Sequence, residues 1–161
     1  MSVNFTVSEK VFTSVYARNC EVRRIDRGTA AAFLDAFHAL GDTRSRYRYG
    51  VYVLRRGRSG VAEGTLVAVG TFSSSRRWMK DGREVRSYEW VRYASLSDVR
   101  VVGGMGKILD TFVSEVHPDD VMSYADASWS NGDAYLKLGF VQESSKTFPG
   151  GAVSLKFRKR F

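Results

Sequence analysis

Apolar residues recur along this chain with two periods, and each change of period marks a new element. Residues 20–25 form a short run that predicts a strand. The period then lengthens: Ala30, Phe33, Leu34, Phe37 and Leu40 fall three or four apart, one face of a helix capped by Asp26 or Thr29 and ending near Gly41. Residues 49–55 and 66–72 return to strand-like sequence on either side of a glycine-containing turn at 57–64, as in a hairpin. Residues 88–96 predict a further strand, preceded by a polar stretch at 76–86 that reads as an exposed loop.

In the second half, from Gly106 onward, Ile108, Leu109, Phe112, Val113 and Val116 share one helical face, which Pro118 stops. Residues 121–125 predict a buried strand. A short helix through residues 134–138 ends at Gly139, a natural left-handed cap, and Val141 with residues 152–157 closes a last hairpin. Residues 1–18 are mixed and leave room for one more strand. The order is β-α-β-β-β-α-β-α-β-β, an α/β chain with no internal repeat and no linker long enough to divide it. With 161 residues, one domain spanning 1–161 is expected. It buries about 70% of the surface its unfolded chain exposes, enough to need no staple.

Charge sharpens this picture once it is located. The net charge is +8, and the whole excess lies between residues 44 and 86, where eleven Lys and Arg face Glu63, Asp81 and Glu84. Arg44, Arg46 and Arg48 alternate with Tyr47 and Tyr49 there. Cations that displace condensed counterions, beside tyrosine faces that stack on bases, suit DNA or RNA; a solvated surface that steers an acidic cofactor is the alternative. The single cysteine, Cys20, forms no internal disulfide and reads as core packing. The chain opens without a basic-then-apolar leader, so a reducing, cytoplasmic setting is expected. No apolar run approaches the roughly 20 residues of a membrane span, so no membrane partner is expected. Two histidines and one cysteine make no metal-ligand spacing, so no metal is expected, and His38, late in its helix, reads as structural.

Two strings carry the chemistry. Val101-Val102-Gly103-Gly104-Met105-Gly106-Lys107 is a glycine turn opening an amphipathic helix, where backbone N–H groups can approach a diphosphate. A P-loop would need Gly in place of Val101 and Ser or Thr in place of Ile108, and a dinucleotide fingerprint would need Gly in place of Leu109. Asn131-Gly132-Asp133-Ala134-Tyr135-Leu136-Lys137-Leu138-Gly139-Phe140 places a tyrosine on the helix after the next strand.

The element order and these strings resemble the GCN5-related N-acetyltransferase (GNAT) superfamily over roughly residues 20–157. That implies a mixed, largely antiparallel central sheet of about six to seven strands with flanking helices. The family's first signature is Gln or Arg, two residues, Gly, one residue, then Gly or Ala. Gly104 and Gly106 are in register with it, while Val101 replaces the polar first residue and Arg100 sits one place early. The second signature, Tyr four residues before Gly-Phe, is met by Tyr135, Gly139 and Phe140. The usual upstream Asn falls at Ser128 rather than at Asn131.

The resemblance implies acetyl-CoA or another acyl-CoA as cofactor, held by Val102, Gly103, Gly104, Met105, Gly106 and Lys107 with Ser128 and Asn131. It implies Tyr135 as the acid that protonates the departing sulfur. A tyrosine of pKa about 10 giving its proton to a thiolate of about 8.5 is uphill by roughly 2 kcal/mol in water, a deficit that a dry site reduces. The base is Glu89, opposite in strand alternation to Tyr88 and Trp90, or Asp126, at the carboxyl end of its strand. Either carboxylate is equally readable as structural, Glu89 paired with an arginine and Asp126 capping a turn.

A narrower resemblance rests on Tyr88-Glu89-Trp90, Arg92-Tyr93, Ser95, Ser123-Tyr124-Ala125-Asp126 and Trp129-Ser130-Asn131-Gly132. These are similar to a phage-associated branch near the Mom-type proteins, which modify adenine in DNA. Acceptor binding then falls to Arg44, Arg46, Arg48, Arg92 and Trp129. The implied activity is acyl transfer from coenzyme A to an amine, a nucleobase amine in DNA on the narrower resemblance. A small-molecule or protein amine is the alternative acceptor, and a non-catalytic nucleic-acid-binding module on a degenerate scaffold is the alternative role.

Overall fold

The computed structural model describes residues 12–128 and 130–161. Ten strands and three α-helices follow one another: β1 (Thr13–Tyr16), β2 (Cys20–Arg24), α1 (Arg27–Phe37), β3 (Tyr47–Val53), β4 (Leu66–Phe72), β5 (Arg76–Lys80), β6 (Arg83–Ser95), β7 (Val99–Val102), α2 (Gly104–Val116), β8 (Asp120–Asp126), α3 (Asp133–Lys137), β9 (Val141–Thr147) and β10 (Val153–Arg160). The main sheet runs β2-β3-β4-β6-β8-β10-β9, with β5 paired to β6, and β1 pairs with β7 in a separate two-stranded sheet. Among the described residues only β6–β8 and β1–β7 pair in parallel. This is the mixed, largely antiparallel α/β sheet that the sequence implied.

Both faces of the sheet are covered, and the alternation of β4 shows how. Phe72 joins the core beneath α2, stacking on Phe112 with ring centroids 4.0 Å apart, while Tyr47 and Tyr88 meet the same ring edge-on. Gly70 has no side chain to hold Ile108 away, and a Cβ there would lie 3.1 Å from its Cδ1. Val69, one position along, packs instead with Ala30, Phe33 and Leu34 of α1. Ile108, Leu109 and Phe112 are fully buried, each contributing about 1.5–3 kcal/mol in apolar transfer alone.

Three expectations need correcting. The stretch 76–86 is not a loop: β5 and the start of β6 form a hairpin turned by Asp81 (φ 52°) and Gly82 (φ 75°), with Lys80 opposite Arg83. Two consecutive positive φ values match the right-handed twist of the flanking strands. The first helix stops at Phe37, because His38 is extended (φ −98°, ψ 135°) and its Nδ1 accepts the Leu40 amide at 3.0 Å, leaving Leu40 outside. The second helix begins at Gly104, two residues before Gly106, and the residues just before it form β7, which pairs with β1.

Candidate active site

The glycine turn is built by backbone conformation and close packing. Gly103 adopts φ 79° at the N-cap of α2, and the first intrahelical bond runs from the Lys107 amide to the Gly103 carbonyl at 3.1 Å. The amides of Gly104, Met105 and Gly106 therefore belong to the first turn, which no carbonyl of the helix can satisfy, at the positive end of the helix dipole. A Cβ on Gly104 would stand 2.7 Å from Val101 Cγ1 and 3.0 Å from the Tyr93 hydroxyl. Only glycine lets the turn close there. A Cβ on Gly106 would make an ordinary 3.4 Å contact with Leu138, so the turn lies against the segment that follows Tyr135.

Side chains near the turn have other partners. Lys107 Nζ donates to the carbonyls of Ala17, at 2.9 Å, and Cys20, clamping the β1–β2 connection to α2. Val101 is buried in the core, Val102 is exposed, and the Arg100 guanidinium lies over the Phe12 ring at 5.5 Å. What this turn can offer an anion is its main chain. The first-turn amides at the positive end of the helix dipole suit a diphosphate such as that of coenzyme A.

A wedge opens between β6 and β8. They pair only through Ser87, Tyr88 and Glu89 against Asp120, Val121 and Met122. Beyond Glu89, β6 turns its hydrogen bonds to β4, with a bulge at Val91 where Thr71 faces Arg92 and Phe72 faces Trp90. At the parting point the Ser123 hydroxyl donates to the Trp90 carbonyl at 3.0 Å, taking the place of a ladder bond.

Tyr135 reaches this wedge from α3. Its ring stacks on Phe157 at 5.5 Å and meets Phe140 and Trp90 edge-on. Gly132, at the N-cap with φ 79°, seats the short helix against Phe157, whose Cζ would lie 2.0 Å from any Cβ. Burial pushes the Tyr135 phenol above its ordinary value, the nearby Glu89 charge adds to the rise, and the Ser123 hydroxyl opposes it. The phenol thus lies within electrostatic reach of both β6 and β8. Tyr93, whose hydroxyl lies beside Gly104, is pushed by burial up to about 12.

The two carboxylates differ in their engagements. The Glu89 side chain is 20% exposed and accepts from Arg76 Nη2 at 3.2 Å, while its amide donates to Ser73 Oγ at 2.9 Å. Asp126 Oδ1 accepts from the hydroxyl of Ser128 at 2.6 Å and from its amide at 2.8 Å, and these bonds hold its pKa below the usual carboxylate range. Asp126 and Ser128 thereby close a turn at the end of β8. Asn131 Oδ1 likewise accepts the Asp133 amide at 3.1 Å, at the start of α3.

Among the arginines, Arg44, Arg46 and Arg92 line one cavity of about 690 Å³ together with Arg76 and Glu89. Arg48 lines a neighbouring cavity of about 590 Å³ with Arg27 and Asp42. Trp129 lies outside the described residues. Among those residues no helix is long and apolar enough to cross a membrane, and no three His, Cys, Asp or Glu side chains gather as for a metal. Ser73 was not anticipated here, and Arg76 and Ser123 were read only within the basic stretch and a quoted string, without a role of their own. A serine between Met122 and Tyr124 in an otherwise apolar strand was the signal for one of them.

No protein-family model matches this sequence, and no curated protein does. Solved structures do match. A GNAT-family protein from Desulfovibrio desulfuricans superposes with TM-score 0.60 at 10% identity, over 88% of this chain and 98% of its own. A Bacillus subtilis acetyltransferase in complex with CoA gives 0.61 at 13%, over 88% and 99%. The spermidine N-acetyltransferase of Vibrio cholerae gives 0.59 at 12%, over 89% and 94%. The protein therefore has the fold of the GNAT acetyltransferases.

Proposed function

We propose that this protein is an acyl-CoA-dependent N-acyltransferase. One observation carries the reading: the half-buried Tyr135 ring packs on Phe157 and Trp90 beside the point where β6 and β8 part and Ser123 bonds the Trp90 carbonyl. The solved neighbour holding CoA is consistent with acyl-CoA as the donor. The amides of Gly104, Met105 and Gly106 take the diphosphate of coenzyme A, whose thioester supplies the acyl group. Glu89 accepts a proton from the amine as its nitrogen bonds the acyl carbon, and a β6 amide beyond the Val91 bulge stabilises the oxyanion. As the carbon–sulfur bond breaks, Tyr135 gives its proton to the sulfur. Asp126 and Ser128 shape the rim of the wedge rather than exchange protons.

The acceptor proposed is a nucleobase amine in DNA. Such an amine is neutral at pH 7, whereas a lysine-like amine would first lose a proton at a cost of nearly 5 kcal/mol at its ordinary pKa of about 10.4. The basic excess at 44–86 and the Mom-type strings support this acceptor. The engaged ammonium of Lys107 and the buried Val101 favour the second reading, a nucleic-acid-binding module that has lost transfer.

Thermal unfolding with acetyl-CoA tests the class. Ligand at about 100 times its dissociation constant adds about 2.7 kcal/mol, or about 5–10 °C for a chain of this size. Gly106→Trp, which fills the space in front of Leu138, should abolish the shift. No response in the parent protein at millimolar acetyl-CoA would remove the transferase reading.

A further inference from the structure

Two cavities meet at Glu89. The first, of about 690 Å³, is ringed by Arg44, Arg46, Arg76 and Arg92. The second, of about 280 Å³, occupies the mouth of the wedge, with Leu40, Tyr124, Phe148 and Val153 around Glu89 and Asp126. Glu89, Val91 and Arg92 line both, so the two are arms of one trough along the bulged part of β6. Their chemistry is opposite. One arm sets four guanidinium groups against a single carboxylate; the other offers aromatic and aliphatic walls beside two carboxylates.

The four arginines are not equally available. Arg92 is fixed by the carbonyls of Gly41 and Val91, both at 3.0 Å, and so pins the segment after α1 against the bulge. Arg76 is paired with Glu89. Arg44 and Arg46 are exposed on that pinned segment, with Arg46 lying over the Tyr47 ring at 5.2 Å, and among the described residues no ion pair takes up either. Two guanidinium forks with no ion pair among the described residues, beside two fixed ones around a cavity of about 690 Å³, match a doubly charged, three-oxygen anion better than a single carboxylate.

We propose that the acceptor carries a phosphate group beside its amine, that Arg44 and Arg46 hold the phosphate in the basic arm, and that the amine-bearing ring enters the apolar arm between Tyr124 and Phe148. The placement of the amine rests on the acyl-transfer reading; the phosphate site does not. Coenzyme A's own diphosphate belongs at the start of α2, on the other face of the sheet from Glu89 and the α1 side of the trough. A free phosphorylated amine and a nucleotide within a strand present the same chemistry to this trough.

Calorimetric titration of the full chain with adenosine 5′-monophosphate and with adenosine separates the possibilities. At low salt the phosphorylated probe should bind at least about tenfold more tightly, as expected for charge-assisted bonds to two arginines. The double variant Arg44→Ala/Arg46→Ala should lose that advantage yet keep the parent's melting temperature and its acetyl-CoA response. Equal affinity for the two probes, or an advantage undiminished in the variant, would overturn the proposal. A single-stranded oligodeoxyadenylate that binds far more tightly than the mononucleotide identifies a strand as the phosphate source; equal binding identifies a small phosphorylated amine. Phosphate discrimination in a protein that ignores acetyl-CoA would keep the anion site and dismiss acyl transfer.

Discussion

Tyr135 holds its proton more tightly than a free tyrosine because packing partly desolvates it and the Glu89 charge lies nearby. The shift keeps the phenol protonated throughout the neutral range but makes it a weaker acid, so transfer to the sulfur requires the same surroundings to raise the pKa of the departing thiol as well. Tyr135→Phe keeps the ring on Phe157 and removes only the hydroxyl. Transfer should slow by about 10²-fold while the acetyl-CoA thermal shift survives; unchanged turnover would take Tyr135 out of the proposed role. The sign of the shift also fixes where ionisation of this phenol is felt. With the folded pKa raised, its contribution to stability is complete below the ordinary value of 10.0 and is lost as pH climbs through the higher folded one. Any alkaline limb in the rate that Tyr135→Phe abolishes should therefore lie above pH 10.

At the scale of elements, glycine geometry does much of the placing. Gly132 is seated against Phe157 with positive φ, so Gly132→Ala both strains the backbone and collides with a buried ring. It should cost about 3 kcal/mol in urea denaturation and unseat Tyr135 with α3. A loss within 0.5 kcal/mol of parent stability would show that α3 is not held as described. The same scale explains the hairpin at 76–86. Its Asp81-Gly82 pair is a recognisable two-residue turn, but every residue of β5 is exposed, so no alternation of apolar and polar positions announced the strand. The strand at 99–102 was hidden for another reason: its partner β1 lies more than eighty residues earlier, and its valines read equally well as the entry to a glycine turn.

At the scale of the whole molecule, the β8–β10 side of the sheet is held by a charged network. Arg158 bonds Asp120, itself buried with its other oxygen on Ser87 at 2.7 Å, and reaches Glu143 at 3.1 Å. Burial works to raise the Glu143 pKa, but the Arg158 bond and the charges of Arg158, Lys156 and Arg160 together pull it below its ordinary value. Its contribution is therefore full above pH 4.5 and lost as pH falls through the lower folded value. Glu143→Gln should flatten that part of the acid limb in denaturation followed from about pH 7 to about pH 3. An acid limb identical to the parent's would mean the network does not titrate through Glu143.

Much of the fold was legible along the chain because local patterns and tertiary packing agree. The helical spacing of Ile108, Leu109 and Phe112, the strand-forming run at 66–72 and the glycines of the α2 turn each needed only a few neighbouring residues to be read. The identity of the candidate tyrosine was legible too, since a fixed spacing to Gly139 and Phe140 sets it on a short helix. What the sequence alone determined is thus the order of the elements with a clear apolar period, the glycine turn and the residue types of the candidate site. The tertiary structure decided which of them meet. It brought Tyr135 toward Glu89 and Ser123, engaged Lys107 with the carbonyls of Ala17 and Cys20, bound Asp126 to Ser128, and gathered Arg44, Arg46, Arg76 and Arg92 around one cavity. The physical reason is that pairing register, the bulge at Val91 and the early parting of β6 from β8 are set by contacts between residues far apart in the chain. No periodicity within a single segment encodes them.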